Sequence, residues 1–269
     1  MTGVRHPAWL WPPGGTPWTW PPYPSVPIAN TPAKILGSLL HADFDAADSG
    51  IVLNGTNVAS IPNRGNDTAP MVQAAPQAQP AFSATSFANG PGLTFDGLND
   101  TMLCTFNTPI PAGRRPYMWV IYRANNATLS FQVVGDVYSA DGVTYLLVWQ
   151  SRADATKFTA QIALAGGTVE TTYDGNTETA NTHLTETGYT IGGIAAVVFD
   201  GVASNISGTI AQPIPQPLTA MRMSGYATVL NYPASCTIRR IIVANDLPSA
   251  AQISAMRAYL RAQPYGLTF

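Results

Sequence analysis

The chain has 269 residues, of which 10% are charged, and a formal net charge of −2. Charged side chains normally supply about 25% of a soluble globular chain, and with Lys34 and Lys157 as the sole lysines there is no basic stripe on which nucleic-acid binding could rest. No apolar run reaches the roughly 18 residues of a membrane span, and the N-terminus lacks the charged-then-apolar layout of a secretory signal, so synthesis in a cytoplasm without membrane insertion is expected.

Residues 1–32 hold four of the six tryptophans and nine of the 23 prolines. The prolines fix φ and remove donors, so neither a helix nor a central strand can run through this stretch. An extended, polyproline-like arm with a turn at Pro13-Gly14-Gly15 is expected. Trp9, Trp11, Trp18, Trp20 and Tyr23 have no core of their own to enter, and each ring can bury roughly 150–250 Å². They must be covered by the chain's own body or by another protein, and the reading adopted is an anchor docking into a partner.

Residues 33–40 look helical, and a polar passage rich in Pro, Ala and Gln follows from about 43 to 80, with turns at Asn54-Gly55 and residues 63–66. From Leu93 the texture becomes β-rich. Strands are predicted at 93–96, 101–106, 117–123, 130–136, 143–150, 157–163, 168–173, 188–192, 194–200, 206–210, 219–225 and 236–244. Turns such as Ala140-Asp141-Gly142, Tyr173-Asp174-Gly175-Asn176 and Phe199-Asp200-Gly201 separate them. This spacing argues for an all-β, two-sheet antiparallel sandwich. One clear helix closes the chain: Pro248 and Ser249 begin it, Ile253, Met256, Tyr259 and Leu260 form its apolar stripe, and Pro264 and Gly266 end it. The expected division is an arm, 1–34, and one domain, 35–269. Cys104 and Cys236 lie in β-like runs and are read as buried free thiols. The five N-x-[ST] sequons, at Asn54, Asn66, Asn99, Asn126 and Asn205, are read as a consequence of composition.

Two places carry a resemblance. Gln79-Pro80 with the run from Asn89 through Phe95-Asp96-Gly97 to Asn99-Asp100, leading into Thr101-Met102-Leu103, is similar to a hairpin of concanavalin A-like lectin/glucanase (laminin-G-like) jelly rolls. The run Cys236 to Ser249, entering the terminal helix, resembles the closing strand of such domains in phage and bacterial surface proteins. His41 to Asp48 is similar to their opening strand. The resemblance spans roughly residues 39–269 and implies a jelly roll, a fold that hosts lectins, hydrolases, lyases and plain structural modules. In the hairpin, Leu93, Phe95 and Leu103 are expected to face the core. One departure is that Arg239 or Arg240 stands where the closing strand usually carries an acid.

Catalytic chemistry is not expected. Glycosidases need two carboxylates roughly 5–10 Å apart, and Glu170, Glu178 and Glu186 each lack an acid two residues away. Asp43-Phe44-Asp45, followed by Asp48, reads as a strand end entering a turn, and could supply at most part of a Ca²⁺ site. His6, His41 and His183 are scattered, and no G-x-S-x-G elbow is present. No cofactor is expected. Trp149, Tyr138, Tyr145 and Tyr173 are available for sugar stacking, although Trp119 and Trp149 fit a core better. The polar loops 137–142 and 173–187 are the candidate receptor-facing surface, with Tyr138, Asp141, Tyr173, Asp174 and Asn176.

The leading expectation is a virion structural protein, most readily of a bacteriophage: a capsid-decorating head fibre or spike, or a tail-associated adhesin. Its arm would bind capsid or tail proteins, its lectin-like module would face host glycans, and a trimer or pentamer is implied by analogy. A bacterial surface adhesin and, less favoured, a polysaccharide-degrading enzyme are the alternatives.

Overall fold

The computed structural model describes residues 31–87, 90–125, 132–151, 158–164, 167–173, 181–189, 193–203, 205–207, 209–210, 212–226, 232–263 and 265–267. In chain order, α1 (Pro32–Leu36) and a 3₁₀ turn (Gly37–Leu39) lead into β1 (Leu40–Asp45). Then come β2 (Val52–Asn54), β3 (Asn57–Ile61), β4 (Met71–Val72), a second 3₁₀ turn (Pro76–Ala78), β5 (Ala81–Phe87) and β6 (Gly90–Asp96). The middle of the chain supplies β7 (Met102–Ile110), β8 (Tyr117–Ala124), β9 (Gln132–Ser139), β10 (Tyr145–Ser151), β11 (Phe158–Leu164) and β12 (Gly167–Tyr173). β13 (His183–Tyr189), β14 (Gly193–Phe199), β15 (Val202–Ala203), β16 (Asn205–Ser207), β17 (Thr209–Ile210), β18 (Leu218–Met223), β19 (Ser235–Ala244) and α2 (Ala250–Arg261) complete it.

Among the described residues every pairing between named strands is antiparallel, and the strands form a two-sheet jelly-roll sandwich. In one sheet β19 lies between β8 and the β1 and β6 strands, and β8 continues to β13 and β14. In the other the order runs β4, β7, β18, β9, β10, β11, β12 and β16. The strands expected from residue 93 onward are present, but the 206–210 segment is divided between β16 and β17, β15 is additional, and one strand is displaced. β13 covers 183–189 rather than 188–192, because its polar residues are buried between β8 and β14 instead of looping out. Strands β2 to β4 fall in the passage expected to be irregular, and β5 in the stretch between it and the strands expected from residue 93. They are short, and β3 pairs with β4 and β5 as well as with β2 of its own hairpin.

β8 and β19 are covered on both faces, which is why they read as continuous apolar runs. Val120, Tyr122, Ile241 and Val243 enter the core between the sheets, together with Phe44, Phe95, Val137, Leu146 and Met221. Tyr117, Trp119, Ile121, Ile242 and Ala244 face the other way and pack under α1 and α2 with Leu36, Met256, Leu260 and Tyr265. Burying a residue such as Met256 or Leu260 contributes roughly 1.5–3 kcal/mol. Ser249 caps α2 in a capping box with Gln252, as the sequence requires. Gly37 (φ +57) stops α1 after Leu36, so the helix is shorter than the 33–40 segment suggests. Pro264 lies outside the described residues.

The hairpin carrying the resemblance is capped as its sequence demands. Asp96 Oδ1 accepts from the backbone N–H of Leu98 and Asn99, and Asp100 Oδ2 accepts from Asp96 N–H at 3.0 Å. Leu93 and Phe95 are in the core, but Leu103 is not. Met102 and Cys104 point inward, so alternation turns Leu103 to the opposite face of the sheet. Both cysteines are buried and unpaired, as read from the sequence.

Candidate functional site

Strand alternation gives the sheet of β7, β18, β9 and β10 an outer face of unusual chemistry. Tyr145 stands opposite Tyr138, Tyr138 opposite Ala220, and Arg222 opposite Asp136. Val133, Tyr138, Tyr145 and Ala220 pack together there, with Leu103 and Tyr226 against them.

The connection from β18 to β19 adds two rings. Ser224 (φ 56) and Tyr232 (φ 59) adopt left-handed backbone, which for a tyrosine costs of order 1–3 kcal/mol. The start of β9 holds them: Ser224 N–H donates to the Val134 carbonyl at 3.0 Å, and Val133 N–H to the Tyr232 carbonyl at 2.9 Å. Ser224 Oγ accepts from Ala234 N–H at 3.0 Å. Tyr226 thereby meets Tyr145 edge to face, with centroids 5.2 Å apart, and Tyr232 lies 6.3 Å from Tyr226. Exposure falls from 42% at Tyr232 to 8% at Tyr145 and 4% at Tyr138. The rings therefore descend from solvent toward Arg222, whose positive charge acts on the Tyr138 hydroxyl.

Burial pushes Tyr138 and Tyr226 above the usual phenol range; Arg222 opposes the shift at Tyr138, and the hydrogen bond with Tyr145 adds to it at Tyr226. These two hydroxyls stay protonated and can donate as well as accept. Arg222 is 9% exposed and its Nε has no acceptor. Among the described residues no carboxylate stands within ion-pair distance of it, although the fully buried Asp136 occupies the facing position. Ring faces, neutral hydroxyls, a guanidinium and a carboxylate are the groups that stack on a sugar and hydrogen-bond its hydroxyls.

The residues singled out from the sequence are distributed otherwise. Trp9, Trp11, Trp18, Trp20, Tyr23, Asp174 and Asn176 lie outside the described residues, as does the side chain of Tyr173 on β12. The segment read as a 137–142 loop is strand through Ser139, which buries Tyr138 on the sheet instead of presenting it on a loop. Asp141 is exposed in the turn that follows. It staples that turn by accepting from Ser139 Oγ at 2.6 Å and Val143 N–H at 3.0 Å, bonds that hold its carboxyl below the usual range. Trp119 is buried under α2.

The other polar clusters are structural. Asp43 and Asp45 are buried, and Asp45 does end its strand, accepting from Ala47 N–H at 2.9 Å. Arg240 grips Asp43 with two bonds and Arg239 reaches Asp45 at 3.3 Å, while Arg64 pairs with Asp45 and Asp48. The arginines that depart from the closing-strand pattern thus answer acids of the opening strand beside them. Glu186, fully buried, accepts from Tyr117 Oη at 2.8 Å and from Arg257 at 2.6 and 3.0 Å, tying α2 to β13. His183 Nδ1 lies 2.8 Å from Asp200 Oδ2, and Asp200 Oδ1 accepts from Leu184 N–H at 2.8 Å. Among the described residues no group of His, Cys, Asp or Glu could hold a metal ion.

No protein-family model matches the chain, and no curated protein sequence does. Solved structures share its fold. The binding domain of botulinum neurotoxin serotype D superposes with a TM-score of 0.59 at 7% identity, over 86% of this chain and 53% of that one. The serotype D ligand-binding domain in complex with N-acetylneuraminic acid gives 0.58 at 8% identity, over 89% and 56%. The serotype G binding domain gives 0.56 at 8%, over 82% and 51%. This chain thus spans about half the length of these domains, and at such identities the likeness establishes the β-sandwich alone.

Proposed function

We propose that this protein is a non-catalytic, lectin-like binding module in which the outer face of the β7–β18–β9–β10 sheet takes a glycan. The observation that carries the reading is the descending set Tyr232, Tyr226, Tyr145 and Tyr138, ending at Arg222 and Asp136. Strained backbone at Ser224 and Tyr232 supports it, since such cost is retained where a surface must be pre-organised. The sandwich shared with neurotoxin binding domains, one of them bound to N-acetylneuraminic acid, is consistent with glycan recognition. A glycan array probed with the full chain tests it: retained glycans whose signal drops in Tyr232→Ala are expected, and an empty array overturns the reading.

The wider setting proposed is a bacteriophage particle, with the module displayed on a capsid or tail as a concanavalin A-like homo-oligomer, and residues 1–34 as the anchoring part. The low charge and the Trp/Pro composition of residues 1–32 support this. Replacing Trp9, Trp11, Trp18 and Trp20 by alanine should leave the secondary structure unchanged by circular dichroism and abolish incorporation into particles. Incorporation at the wild-type level removes the anchor.

A further inference from the structure

We infer that the glycan taken by this face carries a carboxylate, and that Arg222 receives it through the edge of its guanidinium left without an acceptor. This rests on the lectin-like reading of the same face. The carrying observation is a buried cation short of partners: Arg222 is 9% exposed, its Nε bonds to nothing, and no ion pair forms with a described carboxylate. A buried charge is normally paired and fully hydrogen-bonded, because leaving it otherwise is costly. The guanidinium presents a planar fork that matches a planar carboxylate with two parallel N–H···O bonds.

The surroundings narrow the class. Asp136 stands opposite Arg222 across the strand pair, so the site tolerates one added negative charge better than two. That favours a monoanionic sugar acid, such as a sialic or hexuronic acid, over a phosphorylated sugar. The protonated hydroxyls of Tyr138 and Tyr226 add no repulsion. Tyr232, exposed at the outer end, is placed to stack on a ring face further along the glycan.

The test uses the full chain and calorimetric titration with N-acetylneuraminic acid, methyl glucuronide and methyl glucoside, the last being neutral. The wild-type protein should prefer at least one acid over the neutral sugar by about tenfold or more, as expected for a charge-assisted pair. Arg222→Met combined with Asp136→Asn removes both charges without leaving one alone, and should erase the preference while keeping the wild-type fold by circular dichroism. Arg222→Lys keeps the charge but not the fork, and should lose most of the preference. Equal binding of acid and neutral sugars by the wild type overturns the carboxylate inference and leaves the lectin-like reading standing. Binding of no sugar, there and on the array, overturns both.

Discussion

Arg240 and Asp43, 197 residues apart in sequence, meet in a two-bond ion pair, Nε to Oδ1 at 2.8 Å and Nη2 to Oδ2 at 2.6 Å, with both side chains buried. Arg240 also donates to Tyr259 Oη at 2.9 Å and Tyr265 Oη at 3.0 Å, so one guanidinium joins the opening strand, the closing strand and the C-terminal segment. Arg240→Met strands the buried Asp43 carboxylate and should lower unfolding free energy by about 3–5 kcal/mol in urea denaturation. Asp43→Ala should cost less, because Arg240 keeps Asp45 Oδ2 at 3.3 Å. The double variant should lose much less than the sum, because no lone charge remains.

Gly188 on β13 lies under the ring of Tyr117: a Cβ there would sit 2.2 Å from Tyr117 Cδ2. The ring's position lets its hydroxyl reach Glu186. Gly188→Ala should therefore cost roughly 1–3 kcal/mol by overpacking. Gly188→Ala with Tyr117→Ala should recover part of the loss introduced by the added methyl, read in thermal melts.

Acid should weaken the fold through His41. Burial lowers its pKa below the ordinary 6.5, and the nearby Asp67 only partly opposes this. The unfolded chain then binds the proton more readily, so the His41 contribution is constant above about pH 6.5 and stability falls as pH drops below it. Asp100 acts in the opposite sense: burial raises its carboxyl to about 6, so it favours the fold increasingly as pH falls from 6 toward 4. The melting temperature of His41→Phe should decline less between pH 7 and 5 than that of the wild type, and that of Asp100→Asn should decline more.

Both thiols should be silent in the native state. Burial pushes Cys104 up to about 12 and Cys236 further, so neither offers thiolate at pH 8. A chromogenic thiol reagent should report no free thiol in the folded chain and two after unfolding in guanidinium.

Tyr232 is 42% exposed, so Tyr232→Ala should leave the melting temperature nearly unchanged. The same change should weaken glycan binding about three- to tenfold, the worth of one aromatic contact. Measured side by side, the two quantities separate a binding role from a packing role.

The sequence by itself determined the class of fold, most strands after residue 93, the capped terminal helix and the burial of the cysteines. Each of those rests on local information: alternation, turn residues and a Ser-x-x-Gln box. Strands β2 to β5 were not legible, since two- to seven-residue strands with polar composition exist only through their pairings. The tyrosine–arginine face was half legible. Asp136 and Arg222 each interrupt an apolar strand, which is a signal in itself, and Tyr138 and Tyr145 were visible as aromatics on neighbouring strands. That Arg222 faces Asp136, and that Tyr226 and Tyr232 close over the same face, was decided by the tertiary structure alone. Registers joining residues 86 positions apart are set by how the two sheets bury their inner faces together, and no local pattern encodes that.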